Sequence, residues 1–153
     1  MNPTMTFNTL LVLGLVAAGS VAATEVRRSA TGLPYVTGGV TAQELKAIAT
    51  QRAQFSFALV ARSSLSGGPV ADAQVRITDA ADKVVLDAAM DGPWLLVSMA
   101  PGQYKLVVSF QDETLRRDIE IPARGQREVE VRFRSASEVS LYPAQLPVRL
   151  PAR

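Results

Sequence analysis

The stretch DGPWLLVSMAPGQYKLVVSF, Asp91 to Phe110, holds two apolar runs, each opened by a Pro/Gly turn. "DGP" precedes "WLLVSM" and "APG" precedes "QYKLVVSF", in which Tyr104, Leu106, Val108 and Phe110 alternate onto one face. Alternation of period two over short, turn-bounded runs is the mark of a strand with one buried face. The same grammar extends outward. "QFSFALVAR" aligns Phe55, Phe57, Leu59 and Ala61; "DAQVRITD" aligns Ala73, Val75 and Ile77; "VVLDAAM" aligns Val84, Leu86 and Ala88. "TLRRDIEI" and "REVEVRFR" follow, the latter alternating Val129, Val131 and Phe133 with charges. With "SSLSGGP", "DAADK", "QDE" and "PARGQ" as turns, residues 55–134 predict an all-β, seven-stranded antiparallel Greek-key sandwich. On this reading Trp94 starts a strand and packs inward, and Tyr104 closes the core with its hydroxyl on backbone.

Three further segments flank that domain. Within residues 24–54, the stretch 24–40 contains "SATGLPYVTGG", a loop or ordered arm, and "TAQELKAIATQRA" follows. There Thr41 and Glu44 stand at capping-box spacing, and Leu45, Ile48 and Ala49 share a helical face. Residues 135–153, "SASEVSLYPAQLPVRLPAR", read as a Pro-containing extended or disordered tail. Residues 1–23 contain the apolar run Leu10 to Ala23 with small residues at its end, the pattern of a signal peptide cleaved after Ala22 or Ala23. The expected location is periplasmic or secreted, with no membrane insertion after cleavage.

Composition excludes more than it suggests. Sixteen Lys and Arg against fourteen Asp and Glu leave +2, too little to call for nucleic acid. With no cysteine, disulfides, thiol nucleophiles and thiolate metal sites are excluded. With no histidine, Ser-His-Asp and Cys-His sites and ordinary zinc or copper sites cannot be built from this chain alone. No cofactor and no metal is expected.

The remaining side chains offer three groupings. Asp72, Asp79, Asp82, Asp87 and Asp91 are oxygen donors that suit a hard cation, but they lack EF-hand spacing and fit turns better. Arg116, Arg117, Arg124, Arg127, Arg132 and Arg134 are matched by Asp112, Glu113, Asp118, Glu120, Glu128 and Glu130. That mixture reads as a solvated hairpin face, with Arg116 opposite Glu130 in one register. Arg117 falls on the face of Leu115 and Ile119, where its stem lies along the core and its head reaches out. Trp94 and Tyr104, with Tyr35 in the glycine-rich arm, are the speculative contacts for a ligand or partner.

Residues Gly67 to Phe110 resemble carboxypeptidase regulatory-like domains of the transthyretin-like (prealbumin-like) class. The likeness lies in Gly68-Pro69-Val70 before "DAQV", the Asp91-Gly92 turn followed by an aromatic, and "PGQY", Pro101 to Tyr104. The resemblance implies a prealbumin-like sandwich serving as an accessory module without an active site. The related hydroxyisourate hydrolases depend on histidines and a C-terminal Tyr-Arg-Gly-Ser motif, whereas this chain ends "RLPAR" and has no histidine. Collagen-adhesin repeats, also similar, often carry a Lys–Asn isopeptide; here Asn2 and Asn8 lie in the signal segment, leaving a Lys–Asp version at Lys83 or Lys105. The expected function is therefore a non-enzymatic interaction module with an envelope protein or glycan partner. The alternatives are a carbohydrate or peptidoglycan-fragment binder and, less favoured, a hydrolase working with carboxylates or arginine.

Overall fold

Turn chemistry sets where each strand ends. The computed structural model describes residues 24–134. Its strands are β1 (Arg27–Arg28), β2 (Pro34–Gly38), β3 (Phe57–Ser63), β4 (Gln74–Asp79), β5 (Val84–Ala89), β6 (Trp94–Val97), β7 (Gly102–Phe110), β8 (Glu113–Ile121) and β9 (Arg127–Phe133). Helix α1 (Ala42–Gln51) and a 3-10 turn (Arg52–Gln54) separate β2 from β3. Between β7 and β8 the turn is two residues long, and Gln111 takes a left-handed φ of 51° there. Asp79 shapes the β4–β5 turn by accepting the Ala81 and Lys83 amides at 2.9 and 3.0 Å. The signal segment and the tail, 1–23 and 135–153, lie outside the described residues.

The strands form two sheets, β1-β2-β6-β3-β9 and β5-β4-β7-β8. All pairings are antiparallel except β3–β9, which is parallel. The seven expected strands are β3 to β9, and two more arise in the arm. "PYVTG" is a strand because both of its faces are covered. Tyr35 packs on the inter-sheet core and Val36 on the opposite side, so no polar–apolar alternation marks it in sequence. The expected β8–β9 hairpin does not form: β8 ends one sheet and β9 the other, and Arg116 lies opposite Val107 rather than Glu130.

The inter-sheet core draws Phe57, Leu59, Leu95, Val97, Val131 and Phe133 from the first sheet, and Val75, Ile77, Leu86, Leu106, Val108 and Ile119 from the second. Full burial of such side chains contributes about 1.5–3 kcal/mol each. Two of the alternating residues leave the expected inward set: Phe55, which ends the 3-10 turn before β3 begins, joins the cluster on the other face of the first sheet, and Val84 turns to solvent. A register shift after Ile77 sets Thr78 opposite Val84 and turns Val84 outward, 40% exposed.

A second cluster lies on the other face of the first sheet, where Ile48 and Phe55 cover Val36, Ala58 and Leu96. A ten-residue helix is marginal alone, so this burial and the N-terminal cap hold it. The Thr41 hydroxyl accepts the Glu44 amide at 3.1 Å, and Glu44 Oε2 accepts the amides of Gly39, Val40 and Thr41. Those amides hold the Glu44 carboxyl below its ordinary range, the Thr41 amide most strongly. Ile48 is buried as expected, whereas Leu45 is 44% exposed and Ala49 is exposed, because the helix seats itself chiefly on Ile48.

The arm and the sheet meet at glycines. A Cβ on Gly92 would stand 2.3 Å from the Gly38 carbonyl oxygen, and one on Gly39, at φ +94°, would stand 2.7 Å from Trp94 Cδ1. Gly125 has a similar φ of +87° but open space around it. Gly92→Ala should therefore lower stability to urea by about 2 kcal/mol or more, exceeding Gly125→Ala, which carries only the left-handed backbone cost of about 1–2 kcal/mol. Equal midpoints for the two variants would refute the close approach of β2 to the 91–93 turn.

Candidate functional site

The three aromatic candidates occupy two different layers. Trp94 opens β6 opposite Val60 and Gly38 and turns away from the inter-sheet core, contrary to its expected inward packing. The physical reason is α1: with a helix over the sheet, both faces of β6 are apolar, and alternation no longer says which is inside. The Trp94 ring is half-buried, with the Arg52 guanidinium 5.3 Å from its centroid. Arg52 Nε donates to Gln126 Oε1 at 3.0 Å, and its guanidinium also pairs with Glu128. Gln126 Nε2 in turn donates to the Arg52 and Phe55 carbonyls at 2.7 and 2.9 Å. These bonds tie the helix to the β8–β9 turn. The open depression beside them, about 490 Å³, is lined by Ala49, Arg52, Ala53, Gly125 and Gln126.

Tyr104 is half-buried on the inter-sheet core, and its hydroxyl donates to the Ala100 carbonyl at 2.8 Å, as expected. Tyr35, also half-buried against that core, stands opposite Val97 and Arg27. Tyr35 and Tyr104 thus share the core side, Trp94 lies under the helix, and the three rings form no common shelf.

The aspartates are dispersed among structural duties. Asp79 makes its turn, Asp91 pairs with Arg27 at 2.7 Å, and Asp82 pairs with Lys105 at 2.7 Å. Asp87 takes both Arg76 nitrogens, at 3.1 and 2.7 Å, and the Gln74 amide at 2.6 Å. Asp72 adopts φ 63° while its amide donates to the Met90 carbonyl. Among the described residues no three acids converge on one point suited to a metal ion.

Lys105 and Asp82 border a groove of about 520 Å³ on the outer face of the second sheet, shared with Thr78, Val107, Arg116 and Asp118. Asp82, by hydrogen bond and then by charge, raises the Lys105 pKa above its ordinary value. A protonated amine beside a carboxylate is an ion pair; isopeptide condensation needs a neutral amine, and this geometry opposes it.

Strand edges are the other accessible polar feature. At β5, Thr31 Oγ1 from the arm donates to the Val85 carbonyl at 2.5 Å and takes one acceptor of that edge. At β8, Arg117 sits on the inward face yet is exposed, and its Nη1 donates to the Arg116 carbonyl at 3.1 Å. The snorkelling expected for Arg117 thus ends on the strand's own backbone, and inward charge is a known guard against edge pairing. β9 differs: it is seven residues long, bonded to β3 on one side, and bears no strand on the other among the described residues. Only sequence reasoning that assigned β8 and β9 to different sheets would have found that edge, and no local pattern announces the parallel β3–β9 pairing.

No protein-family model matches the chain, and no curated protein matches it in sequence.

The Arg76–Asp87 pair offers a direct electrostatic check. Hydrogen bonding from Arg76, first, and Gln74 holds the Asp87 carboxyl below its usual range against a small opposing burial effect. A depressed folded pKa means this contribution to stability is present above the unfolded value and lost as pH falls through the folded one. In an NMR titration Asp87 should titrate below the exposed carboxylates, and Arg76→Ala should move its midpoint upward. An unchanged midpoint in that variant would remove Arg76 as the cause.

Proposed function

We propose that this chain is an exported, non-enzymatic module of carboxypeptidase regulatory-like type, a prealbumin-like Greek-key sandwich that acts by binding a partner in the cell envelope. Recognition runs through a strand edge or the end loops, with the proline-containing tail as a further contact. One observation carries the reading: most of the acids that would do chemistry are spent on a cap, a turn and ion pairs, while the long β9 edge bears no strand among the described residues. Glu44 caps α1, Asp79 makes a turn, and Asp82, Asp87 and Asp91 pair with Lys105, Arg76 and Arg27. Edge addition needs only backbone groups, which suits a chain without chemical signatures. Among the described residues no helix is long and apolar enough to cross a membrane, and the apolar run at Leu10 to Ala23 supports export.

Cell fractionation with intact mass spectrometry should find the protein in the envelope compartment lacking residues 1–22 or 1–23. Exported protein that keeps Met1 would refute cleavage. Capture from the envelope fraction with the mature protein should then retain a defined partner under cross-linking. Trp94 fluorescence should be insensitive to peptidoglycan fragments, since Arg52 and α1 already occupy its surroundings. Saturable quenching by a muropeptide would favour the glycan-binding alternative instead.

A further inference from the structure

β9 reads Arg127-Glu128-Val129-Glu130-Val131-Arg132-Phe133, and Arg134 follows it. Arg127 shares the side of Val129 by alternation, whereas on the opposite, outward side the acids Glu128 and Glu130 come before the bases Arg132 and Arg134. Glu128, Glu130 and Arg132 lie together on the outward face, since Val129, Val131 and Phe133 pack on the inter-sheet core. A strand with that polarity is complementary to itself when two copies run antiparallel, because the acidic half of each faces the basic half of the other.

We propose that β9 pairs with β9 of a second copy of this chain, joining the two five-stranded sheets across a two-fold axis at Val131. In this register Glu128 faces Arg134 of the partner, Glu130 faces Arg132, Val129 faces Phe133, and Val131 faces its own counterpart. Every charged pair is opposite in sign, and opposite-charge cross-strand pairs are favourable where like pairs are not. An interface made by the same patch on both copies is the commonest kind in homo-oligomers. Val129, half-buried in one copy, is covered by the other.

Three features select this edge and this occupant. The other long edge, β8, has bases in its middle, so antiparallel self-pairing about Arg117 sets Arg117 against itself, and its guanidinium already takes the Arg116 carbonyl. The β5 edge is interrupted at its middle, where Thr31 takes the Val85 carbonyl and the register shifts. At β9 the intramolecular ion pairs are made by side chains and not by the edge backbone: Arg52 pairs with Glu128, Arg62 reaches Glu130 at 3.4 Å and Arg132 reaches it at 2.6 Å. Just past the strand, Glu113 holds the Arg134 amide at 2.8 Å, so Val129–Phe133 supply the ladder and Glu128 meets Arg134 through side chains alone.

The inference rests on reading β9 as a recognition edge, and is independent of export and of any envelope partner. A seven-residue strand spans about 23 Å, a small interface, so association is weak and concentration-dependent. Sedimentation of the protein as recovered from the host, its termini read by intact mass, should show weight-average mass rising towards twice the monomer with concentration. In 1 M salt the rise should be reduced, as screening requires. Glu128→Arg/Glu130→Arg makes the outward face of this edge all basic, and Arg132→Glu/Arg134→Glu makes that face all acidic. Each variant alone should stay monomeric, and an equimolar mixture should recover the dimer. Arg132→Gln/Arg134→Gln, which introduces no like charge, should weaken the dimer at least tenfold; circular dichroism verifies that each variant is folded. A native protein that is monomeric at all concentrations overturns the proposal. So does a dimer that survives both reversals, or a mixture that fails to recover it.

Discussion

The structure turns on the contact between two backbones at Gly38 and Gly92. Strand β2 must come close enough to β6 to pair with it, and the turn that opens β6 lies against the end of β2 with no room for a Cβ at Gly92. Side-chain bonds lock the same corner: the Asp91 amide donates to Thr37 Oγ1 at 2.9 Å, and the Asp91 carboxylate pairs with Arg27. Once β2 is docked, the chain leaves at Gly38 and Gly39 in left-handed conformations and enters α1 directly above the sheet. Helix placement, Trp94 burial and the arm's bond to the β5 edge all follow from that one approach.

Its consequence is a sheet buried on both sides. Leu95 and Leu96 are neighbours in sequence, point to opposite faces, and are each fully buried, one in the inter-sheet core and the other beneath α1. This explains which parts of the fold were legible in the sequence. Strands with one wet face, such as β4 and β9, betray themselves by alternation, and their inward residues are those expected. The five residues of β2 and the direction of Trp94 were not legible, because a segment covered on both faces has no periodic signal to read. Nor was the sheet assignment of β8 and β9. A five-residue turn rich in Pro and Gly suits a hairpin as well as a crossing between sheets, and only the packing of Ile121 and Val131 into one core decides between them. The capping box at Thr41 and Glu44 was legible because it is local, needing nothing beyond four residues. The candidate aromatics were half legible: the backbone tether of Tyr104 was, and the helix over Trp94 was not.

Electrostatics here serves architecture before chemistry. The pairs Arg27–Asp91 and Arg76–Asp87 are substantially exposed, and such pairs contribute about 0–1 kcal/mol each, while Lys105–Asp82 is more exposed still. Their worth is positional. Arg27–Asp91 joins the arm to the β5–β6 turn, and Arg52–Glu128 joins the helix to β9 across the turn that Gln126 braces. A chain without disulfides thus fastens its peripheral segments by many weak, directional ties, while the apolar core supplies the bulk of the stability.

The edges of the two sheets are treated unequally, and the difference is physical. Any strand edge left bare is a template for another chain. The protein sets a threonine on one carbonyl of β5, shortens β1 to two residues, and turns Arg117 of β8 back upon the Arg116 carbonyl. At β9 none of these devices is used among the described residues, although the strand is long. The charges of its outward face, Glu128, Glu130, Arg132 and the following Arg134, are sorted along its length instead of alternating in sign, which repels a parallel copy and attracts an antiparallel one. Random placement of the same four charges would guard the edge equally well against non-specific pairing. Sorting adds direction, and direction is useful only if something is meant to pair there.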